Sequence, residues 1–425
     1  MNNLAEKLNE TLGSASQFLS ETGKRMYFPY GGILGQSAQA KACEINATIG
    51  MAFEEDGSPL VMDCFAKNVG IGKKAFLYAS SFGSPKLRED WKRLQIKKNP
   101  SLASKRFSTG VVTNALTHGL RIAAELFADK GDKVVVPDLY WDNYALIFEE
   151  SAGAKLELFN TFKDGRFDVA AMSEALMGEG EKKLLILNFP NNPTGYTATN
   201  EDAAEIVEAV KAAAKSGKKI VVILDDAYFG LVYEQGVHEE SLFSEFSDLD
   251  ENVLAVKLDG TTKEDYVWGL RVGFITFAFK SATDEQLKAL EAKAAGNVRS
   301  AISNASSIGQ AMAEAAYSDM EAYDRQKKEK YDVLKSRYDE IRRILAEHPE
   351  YEELFEVMPF NSGYFMCVRP KNVDAEAVRV RLIEQYSTGT IVLSGLIRLA
   401  FSTIAKDKLE KLFANVASAI SDLRG

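Results

Sequence analysis

The sequence predicts an α/β protein in which helices flank a mostly parallel central sheet, accompanied by a small α+β domain. Two observations lead to this prediction. Through the centre of the chain, short β-branched and apolar runs alternate with helical patterns, as in a parallel sheet with crossover helices. The runs are apolar at consecutive positions, which is typical of strands that are buried on both faces.

Five runs are the clearest strand predictions, and they cover residues 133–138, 183–190, 219–229, 252–260 and 272–279. Helical segments lie between them. One of these spans residues 201–217, with Asn200 as its expected N-cap and Gly217 at its end. This order of elements supports the βαβ interpretation.

The second half of the chain predicts the domain organisation. Residues 283–348 are almost continuously helical in pattern, with Gly296 and the Ser/Asn cluster at 300–307 as the main interruption, and a helix this long is expected to cross between domains. Further on, β-like runs, a helix near 375–386 and an amphipathic helix at 406–422 make a small α+β unit. We predict an N-terminal segment of the small domain at 1–49, a large domain at 50–310, and a linking helix with the C-terminal small domain at 311–425.

Composition excludes several classes of protein. The 51 Lys+Arg and 61 Asp+Glu residues give a net charge of −10, which disfavours a nucleic-acid binder. Hydrophobic residues at 46% and charged residues at 26% are typical of a globular protein. The three cysteines lack any C-x-x-C spacing, so we expect buried free thiols. The three histidines are too dispersed for a metal site or a Ser/His triad.

Nothing in the sequence predicts export or membrane insertion. The first residues, MNNLAEKLNETLGS, combine acidic residues with leucines at helical spacing and lack a basic n-region and an apolar h-region. No apolar stretch reaches the roughly 18–20 residues that a membrane span needs. We therefore expect a cytoplasmic protein with neither membrane nor nucleic-acid partners.

Chemically useful side chains lie at the carboxyl ends of three successive predicted strands or directly after them. They are NNPTG at 191–195, Asp225 to Tyr228, and Lys263 with the following glycines and Arg271. Each has a simpler explanation by itself: a turn, a solvated loop acid, and a charged hairpin. In open α/β sheets, however, ligands bind at the carboxyl ends of the strands, where these residues are expected to meet.

Together these strand ends supply a lysine amine, a carboxylate, a phenol, an amide and a guanidinium. Pyridoxal phosphate chemistry needs this set. A lysine forms a Schiff base, an acid keeps the pyridine nitrogen protonated so that the ring accepts electrons, and an arginine pairs with the phosphate.

The sequence resembles the class I/II aminotransferases, which are fold-type I pyridoxal phosphate enzymes, over nearly the whole chain. In that family the Schiff-base lysine is followed six, eight and ten residues later by Gly, Arg and Gly. Lys263 is followed at these distances by Gly269, Arg271 and Gly273. The resemblance implies that Lys263 carries the cofactor and that Arg271 binds its phosphate.

Two further motifs support the resemblance. The segment at 192–195 matches the Asn-Pro-Thr-Gly motif, whose asparagine, here Asn192, hydrogen-bonds the cofactor's phenolic oxygen. Asp225 and Tyr228 match the D-x-A-Y motif, in which the aspartate meets the pyridine nitrogen and the tyrosine meets the same phenolic oxygen. The resemblance thus implies that Lys263, Asp225 and Tyr228 are the catalytic residues.

The expected phosphate site departs from the family pattern. Residues 111–120 align with the phosphate-binding turn before a helix, where backbone N–H groups favour an anion. Ala115 and Leu116 stand where small Ser or Gly residues are usual, and Thr117 keeps a hydroxyl. Gly260 replaces another hydroxyl residue, which leaves Thr262 as the nearer donor.

The resemblance also implies residues that face the substrate. Trp141 falls where the family places an aromatic ring on the cofactor, although a core or interface tryptophan is the alternative. Arg398 matches the arginine that holds the substrate α-carboxylate, a task suited to a bidentate guanidinium, although a surface strand residue is the alternative. Residues 45–50, ending at Gly50, resemble the segment that closes over the substrate, with Thr48 where glycine is frequent. The motif asparagine Asn192 also belongs to this expected set.

Two residues are expected to act across a subunit boundary. Tyr78 resembles the family tyrosine that reaches the phosphate of the neighbouring subunit, which implies a homodimer with composite sites. Arg299, followed by Asn304 and Gly309, resembles the arginine of aspartate aminotransferases that crosses to the partner's site and binds the substrate's side-chain carboxylate. A helix-surface arginine is the alternative, and aromatic donors stay open.

We therefore expect a pyridoxal phosphate-dependent aminotransferase that acts on an α-amino acid and a 2-oxo acid, with Lys263 as general acid/base. A β-elimination lyase on the same fold is the first alternative, because fold and cofactor do not fix the reaction. A regulatory protein on this scaffold is the second. Such proteins carry a DNA-binding domain ahead of the cofactor domain, and here about 25 residues precede the family-like region of an acidic chain.

Overall fold

The computed structural model describes residues 3–12, 16, 19, 21–26, 32–67 and 72–424. Its strands are β1 (Ile45–Asn46), β2 (Val111–Thr113), β3 (Lys133–Pro137), β4 (Lys155–Phe159), β5 (Phe162–Lys163), β6 (Arg166–Phe167), β7 (Lys182–Leu187), β8 (Lys219–Asp225), β9 (Val253–Gly260), β10 (Gly273–Phe279), β11 (Phe355–Val357), β12 (Met366–Pro370), β13 (Thr388–Gly389), β14 (Ile391–Leu393) and β15 (Leu396–Leu399).

The described α-helices are α1 (Asn3–Leu12), α2 (Glu21–Arg25), α3 (Ile33–Gln39), α4 (Asp63–Ala66), α5 (Pro85–Lys98), α6 (Ala115–Phe127), α7 (Val169–Met177), α8 (Asn200–Lys215), α9 (Phe243–Phe246), α10 (Thr261–Glu264), α11 (Asp284–Ile302), α12 (Ser307–Tyr317), α13 (Met320–Glu347), α14 (Tyr351–Leu354), α15 (Ala375–Tyr386) and α16 (Leu409–Arg424). In the described part of the chain, none of them combines the length and apolarity of a membrane span.

The central sheet has seven strands in the order β2-β10-β9-β8-β7-β3-β4. Strand β10 is antiparallel to both of its neighbours, and the other pairs are parallel. All five strands predicted from apolar runs are present, with bounds that shift by a few residues at most of their ends. The predicted fold class, a mostly parallel sheet between helices, is confirmed.

Both faces of this sheet are buried, as the consecutive apolar residues of its strands indicate. In β8, Val221 and Ile223 belong to one hydrophobic cluster, whereas Val222 and Leu224 belong to the cluster on the opposite face. Side chains alternate along a strand, so a continuous apolar run covers both faces. Helices therefore lie on both sides, and polar residues are left for the ends of the strands.

Several details of the sequence prediction were wrong. Thr199, and not Asn200, caps α8, because its hydroxyl accepts from the N–H of Asp202 while the Asp202 carboxylate accepts from the N–H of Thr199. Gly296 lies inside α11 and does not interrupt it. The interruption predicted at 300–307 is confirmed by a break at 303–306, but a second break at 318–319 was not predicted, so the region 283–348 forms three helices. Of the three free cysteines only Cys367 is fully buried.

A smaller four-stranded sheet, ordered β11-β12-β15-β14, lies in the C-terminal part of the chain. Strand β1 pairs in parallel with β13, which brings the N-terminal region to the C-terminal one. The buried Arg337 of α13 donates to the carbonyls of Phe53 and Ser402 and forms an ion pair with Glu55. The domain boundaries after residues 49 and 310 stay a prediction.

Gly195 lies in the turn that follows β7, where the chain packs closely against the residues just before β12. Its φ of 74° is left-handed, and a Cβ there would lie 1.9 Å from the carbonyl oxygen of Phe365. The carbonyl of Gly195 accepts from the N–H groups of Asn361 and Ser362. Only glycine satisfies both the backbone angle and this close approach.

We expect Gly195→Ala to destabilise the protein far more than Gly236→Ala. Gly236 also has a left-handed φ, of 80°, but a Cβ there would meet no atom within 4 Å. The control should lose about 1–2 kcal/mol from the backbone conformation alone. Gly195→Ala should lose about 1–3 kcal/mol more, because the backbone of Phe365 must move. Thermal unfolding midpoints measure the difference, and equal midpoints would contradict the steric argument.

Candidate active site

The carboxyl ends of several strands meet at one edge of the central sheet. Asp225, the last residue of β8, pairs in register with Leu258 of β9, and Gly273 at the start of β10 lies between Gly260 and Thr113. A cavity opens at this edge and holds about 740 Å³ of empty space, including its mouth. Twelve residues predicted from the sequence line it: Gly50, Ala115, Leu116, Thr117, Trp141, Asn192, Asp225, Tyr228, Thr262, Lys263, Arg271 and Arg398.

Lys263 is the amine of this cavity. It lies on the single turn α10, and its Nζ is 5.1 Å from the centre of the Tyr228 ring. The hydroxyl of Tyr364 donates to the carbonyl of Lys263 and holds the turn. Burial lowers the pKa of Lys263, the charge of Asp225 opposes this effect, and Arg271 adds to it. A lysine with a lowered pKa is more often neutral and is therefore a better nucleophile and base.

Asp225 presents one carboxylate oxygen to the cavity. Its Oδ2 accepts from the hydroxyl of Tyr144 at 2.6 Å, while Oδ1 has no hydrogen-bond partner among the described residues. The amide of Asn188 donates to the Asp225 carbonyl at 2.7 Å. Burial raises the pKa of this carboxyl, and the hydrogen bond from Tyr144 and the charge of Lys263 lower it. The unpartnered oxygen can accept a hydrogen bond from a ligand N–H.

Sequence reasoning missed two of these supporting residues. Tyr144 follows Trp141 by three residues, just before a π-helical turn at Ala145–Ser151, a feature frequent at functional sites. Asn188 directly follows β7, and its side chain also accepts from the N–H of Asn192. The position of Asn188 directly after β7 was the available signal for that residue, because polar side chains there face the same edge of the sheet. Tyr144 lies seven residues after the end of β3, and its spacing gave no such signal.

Asp226 points away from the cavity that Asp225 lines. Its Oδ2 accepts from the hydroxyl of Ser241 at 2.6 Å and lies 2.5 Å from the Nζ of Lys257. Lys257 also pairs with Asp259, so these charges compensate one another in the interior. Alternation of side chains along the chain accounts for the opposite directions of the two neighbouring aspartates.

The first residues of α6, Ala115 to Thr117, line the cavity. No side chain caps this helix, so the N–H groups of its first turn remain available to a ligand. Thr262 contributes a buried hydroxyl that has no partner in the described part of the chain, and Arg271 lines the same space. A Cβ on Gly273 would lie 2.9 Å from the Cα of Ala115, so glycine is required for this approach. These groups are suited to a phosphate.

Arg398 is buried and lines the cavity from β15. The exposed fraction of the residue is 1%, so the alternative of a surface strand residue was wrong. Its Nη1 donates to the amide oxygen of Asn192 at 2.9 Å, and its Nη2 donates to the carbonyl of Thr48 at 2.8 Å. The guanidinium lies over the ring of Phe365, 4.3 Å from its centre, and Nε has no described partner. It is a ready site for a carboxylate.

Gly50 and Trp141 shape the remaining walls. A Cβ on Gly50 would lie 3.3 Å from Phe365 and 3.5 Å from the Tyr228 hydroxyl, so a larger residue would narrow the space beside the tyrosine. Trp141 is half-buried and packs edge-on against Tyr144, with ring centres 5.9 Å apart. Tyr144 thus holds the indole of Trp141 in position where it lines the cavity.

Two predicted site residues do not line the cavity of their own chain. Tyr78 is 92% exposed. Arg299 is exposed on α11, where its Nη1 donates to the Ser303 hydroxyl at 2.6 Å. Their predicted roles, both in a partner's site, stay predictions.

Known proteins share both this sequence pattern and this fold. The chain matches the family described as "Aminotransferase class I and II" over residues 53–416. A histidinol-phosphate aminotransferase of Caldanaerobacter subterraneus is 29% identical over 211 residues, which are 49% of this chain and 52% of that protein. An aspartate aminotransferase of Sulfurisphaera tokodaii is 21% identical over 316 residues, 74% of this chain and 73% of that one. The chain thus spans about half the length of the first of these relatives.

Solved structures show the same fold. A crystal structure of an aminotransferase from Anaerococcus prevotii has a TM-score of 0.82 at 23% identity and covers 94% of this chain and 99% of its own. An aspartate aminotransferase from the cytoplasm of Saccharomyces cerevisiae has a TM-score of 0.77 at 18% identity, covering 93% and 98%. The family match extends over most of the sequence and includes the residues that line the cavity from Ala115 to Arg398, while Ile33 and Gly50 lie before it. This chain therefore belongs to the class I and II aminotransferase family, as its motifs predicted.

Proposed function

We propose that this protein is a pyridoxal phosphate-dependent aminotransferase that moves an amino group between an α-amino acid and a 2-oxo acid. The observation that carries the proposal is that Lys263 and Asp225 line the same cavity. Lys263 offers an amine of lowered pKa, and Asp225 offers a carboxylate oxygen that has no described partner. The family description agrees with a transferase.

The cavity fits this cofactor at both of its ends. The uncapped first turn of α6, the Thr262 hydroxyl and Arg271 would hold a phosphate. Asp225 Oδ1 would accept from a protonated ring nitrogen, and Lys263 would provide the amine for covalent attachment. When bound, pyridoxal phosphate supplies an aldehyde that captures amines and a ring that accepts electrons.

The side chains at the cavity would have distinct roles in the reaction. Arg398 would bind the substrate α-carboxylate in a two-pronged salt bridge, which orients the Cα–H bond. Lys263 Nζ would then take the proton from Cα as general base. Tyr144 would keep Asp225 oriented through its hydrogen bond to Oδ2, and Tyr228 and Asn192 would donate to the cofactor's phenolic oxygen.

A panel of single amino acids tests the proposed reaction. With a transaminase, each accepted donor should abolish the visible absorbance of the bound cofactor and release its 2-oxo acid in a one-to-one ratio with active sites. Adding a 2-oxo acid should then restore the absorbance. Steady release of ammonia from one donor, without a 2-oxo acid acceptor, would instead support the β-elimination lyase.

The opposite directions of the two aspartates predict different mutational effects. Asp225→Asn should lower the rate constant of the first half-reaction by at least about 100-fold, because the charge that stabilises a protonated ring nitrogen is lost. Asp226→Asn keeps a hydrogen-bonding side chain beside Ser241 and Lys257 and should have a much smaller effect. Rates of the first half-reaction with a single donor measure both. Equal losses, or a larger loss for Asp226→Asn, would refute the assignment.

We also propose a homodimer with composite sites, located in the cytoplasm. Phe76, Leu77 and Tyr78 are 70%, 67% and 92% exposed, and the neighbouring Ile308 is 40% exposed. Such a cluster of large apolar side chains indicates a protein interface. The hydroxyl of Ser307 donates to the Leu77 carbonyl, which fixes this surface to the start of α12. Tyr78 would reach the partner's phosphate from it.

Hybrid dimers test the composite site. Mixing Lys263→Ala subunits with Tyr78→Ala subunits should restore activity, since one of the two sites in each hybrid then has an intact lysine and an intact tyrosine. Differently tagged subunits isolate the hybrids, and the parental homodimers serve as controls. If purified hybrids are no more active than either parent, the sites are not shared.

The proposed substrate class is acidic and rests on Arg299. Because this arginine is exposed and outside its own cavity, it is free to reach a partner's site. There its guanidinium would pair with the side-chain carboxylate of aspartate or glutamate. Within one chain, the three cations that line the cavity, Lys263, Arg271 and Arg398, already have proposed roles.

Arg299→Ala should lower kcat/KM for aspartate and glutamate by about 10- to 100-fold, as expected when a hydrogen-bonded charge pair is lost. Phenylalanine is the internal control, and its kcat/KM should change little. If the wild-type enzyme shows no preference for acidic donors and the variant is unchanged toward them, the acidic class is wrong while the aminotransferase proposal stands.

A further inference from the structure

A second cavity lies behind the backbone that carries Asp225 and Lys263. It holds about 880 Å³ of empty space including its open mouth, compared with about 740 Å³ for the candidate active site with its mouth, and the two share no lining residue. Tyr228 and Lys263 line the active site, whereas their sequence neighbours Phe229 and Glu264 line this second cavity. The residues just after β8 and the turn α10 thus separate the two cavities. We call this space the rear cavity.

Glu264 lines the rear cavity, and one of its two carboxylate oxygens accepts no hydrogen bond from the described residues. Its side chain is 1% exposed, and its Oε1 accepts from Lys98 at 2.5 Å and from Lys327 at 2.8 Å. Burial opposes its ionisation, but the two lysines outweigh burial and hold the pKa of Glu264 well below its usual range. Its Oε2 has no partner among the residues that the structure describes. An ionised, enclosed oxygen without a donor is costly.

Lys98, in contrast, has N–H groups that lack an acceptor among the described residues. Its side chain is 15% exposed, and its ammonium lies 4.2 Å from the centre of the Trp91 ring. An ammonium has three N–H groups, and Glu264 is the one hydrogen-bond acceptor of Lys98 in the described part of the chain. Lys327 differs, since Glu264, Asp265 and Tyr323 all accept from it. Lys98 therefore has donors left for a ligand.

The rest of the rear cavity is apolar or balanced in charge. Leu94, Phe229 and Val232 give it an apolar wall. Its charged lining consists of three lysines and three acids: Lys97, Lys98, Lys327, Glu239, Glu264 and Asp324. A ligand of zero net charge that carries both a donor and an acceptor meets these conditions best. A simple anion would leave Glu264 unmatched and face three acids, and a simple cation would leave Lys98 unmatched.

We propose that the rear cavity binds a free α-amino acid with an apolar side chain, in its zwitterionic form. Its carboxylate accepts from Lys98, its ammonium donates to Glu264 Oε2, and its side chain packs against Phe229 and Val232. The site is separate from the candidate active site and requires no transamination. Because Glu264 follows Lys263 in the same helical turn, a ligand held there contacts the segment that carries the active-site lysine.

Calorimetric titration of the holoenzyme tests this site with three probes. Aminooxyacetate, which captures carbonyl cofactors, is present throughout so that the active site does not bind amino acids. L-Phenylalanine should bind once per chain. Phenethylamine lacks the carboxylate and 3-phenylpropionate lacks the ammonium, so each should bind at least about tenfold more weakly. No binding of phenylalanine at millimolar concentrations, or equal binding of all three, would overturn the proposal.

Two variants locate the binding. Lys98→Met should weaken phenylalanine binding by about tenfold or more. Lys92→Met is its control on the same helix, because the Lys92 ammonium donates to the Phe107 carbonyl and does not line the rear cavity. Lys98 is paired with a buried acid, so its loss can destabilise the fold. Val232→Phe is therefore a second variant, because the larger side chain fills the space beside the apolar wall of the rear cavity. Binding that is unchanged in Val232→Phe and in a folded Lys98→Met would overturn the proposal.

Discussion

Two ionisable side chains of opposite charge, Lys263 and Asp225, line one buried cavity, and the rest of the site depends on how their burial is compensated. Burial lowers the pKa of the lysine and raises that of the aspartate, so desolvation alone would neutralise both. The charge of each opposes the effect of burial on the other, and Tyr144 stabilises the carboxylate with a hydrogen bond. This balance leaves an amine and a carboxylate oxygen available to a ligand.

The backbone that carries this pair also separates two sets of charges. On one side lie Lys263 and the Asp225 oxygen that has no described partner, which belong to the candidate active site. On the other side, Asp226 pairs with Lys257, and Glu264 pairs with Lys98 and Lys327. Buried pairs of this kind are costly to break, so they hold the end of β8 and the turn α10 in place from behind. Fixing the backbone in this way fixes the direction of the Lys263 and Asp225 side chains, which is the condition for a preorganised site.

Much of this arrangement could be predicted because it depends on local pattern and spacing. The apolar runs predicted the buried strands, and the parallel sheet then requires that residues at the strand ends meet at one edge. Tyr144 and Asn188 were missed because their roles depend on tertiary contacts with Asp225 that no spacing shows. The cap of α8 was displaced by one residue because Thr199 and Asp202 satisfy each other in a capping box. The roles predicted for Tyr78 and Arg299 require a second subunit, and the fold of one chain does not determine them.

Borohydride reduction of the holoenzyme followed by peptide mapping tests the central claim most directly. The account predicts that the reduced cofactor is attached to Lys263, whose amine has a lowered pKa and faces the cavity. Lys257 is the informative comparison, because it lies six residues earlier but is fully buried in ion pairs with Asp226 and Asp259. A cofactor attached to Lys257, or a protein that binds no chromophore to reduce, would contradict the account.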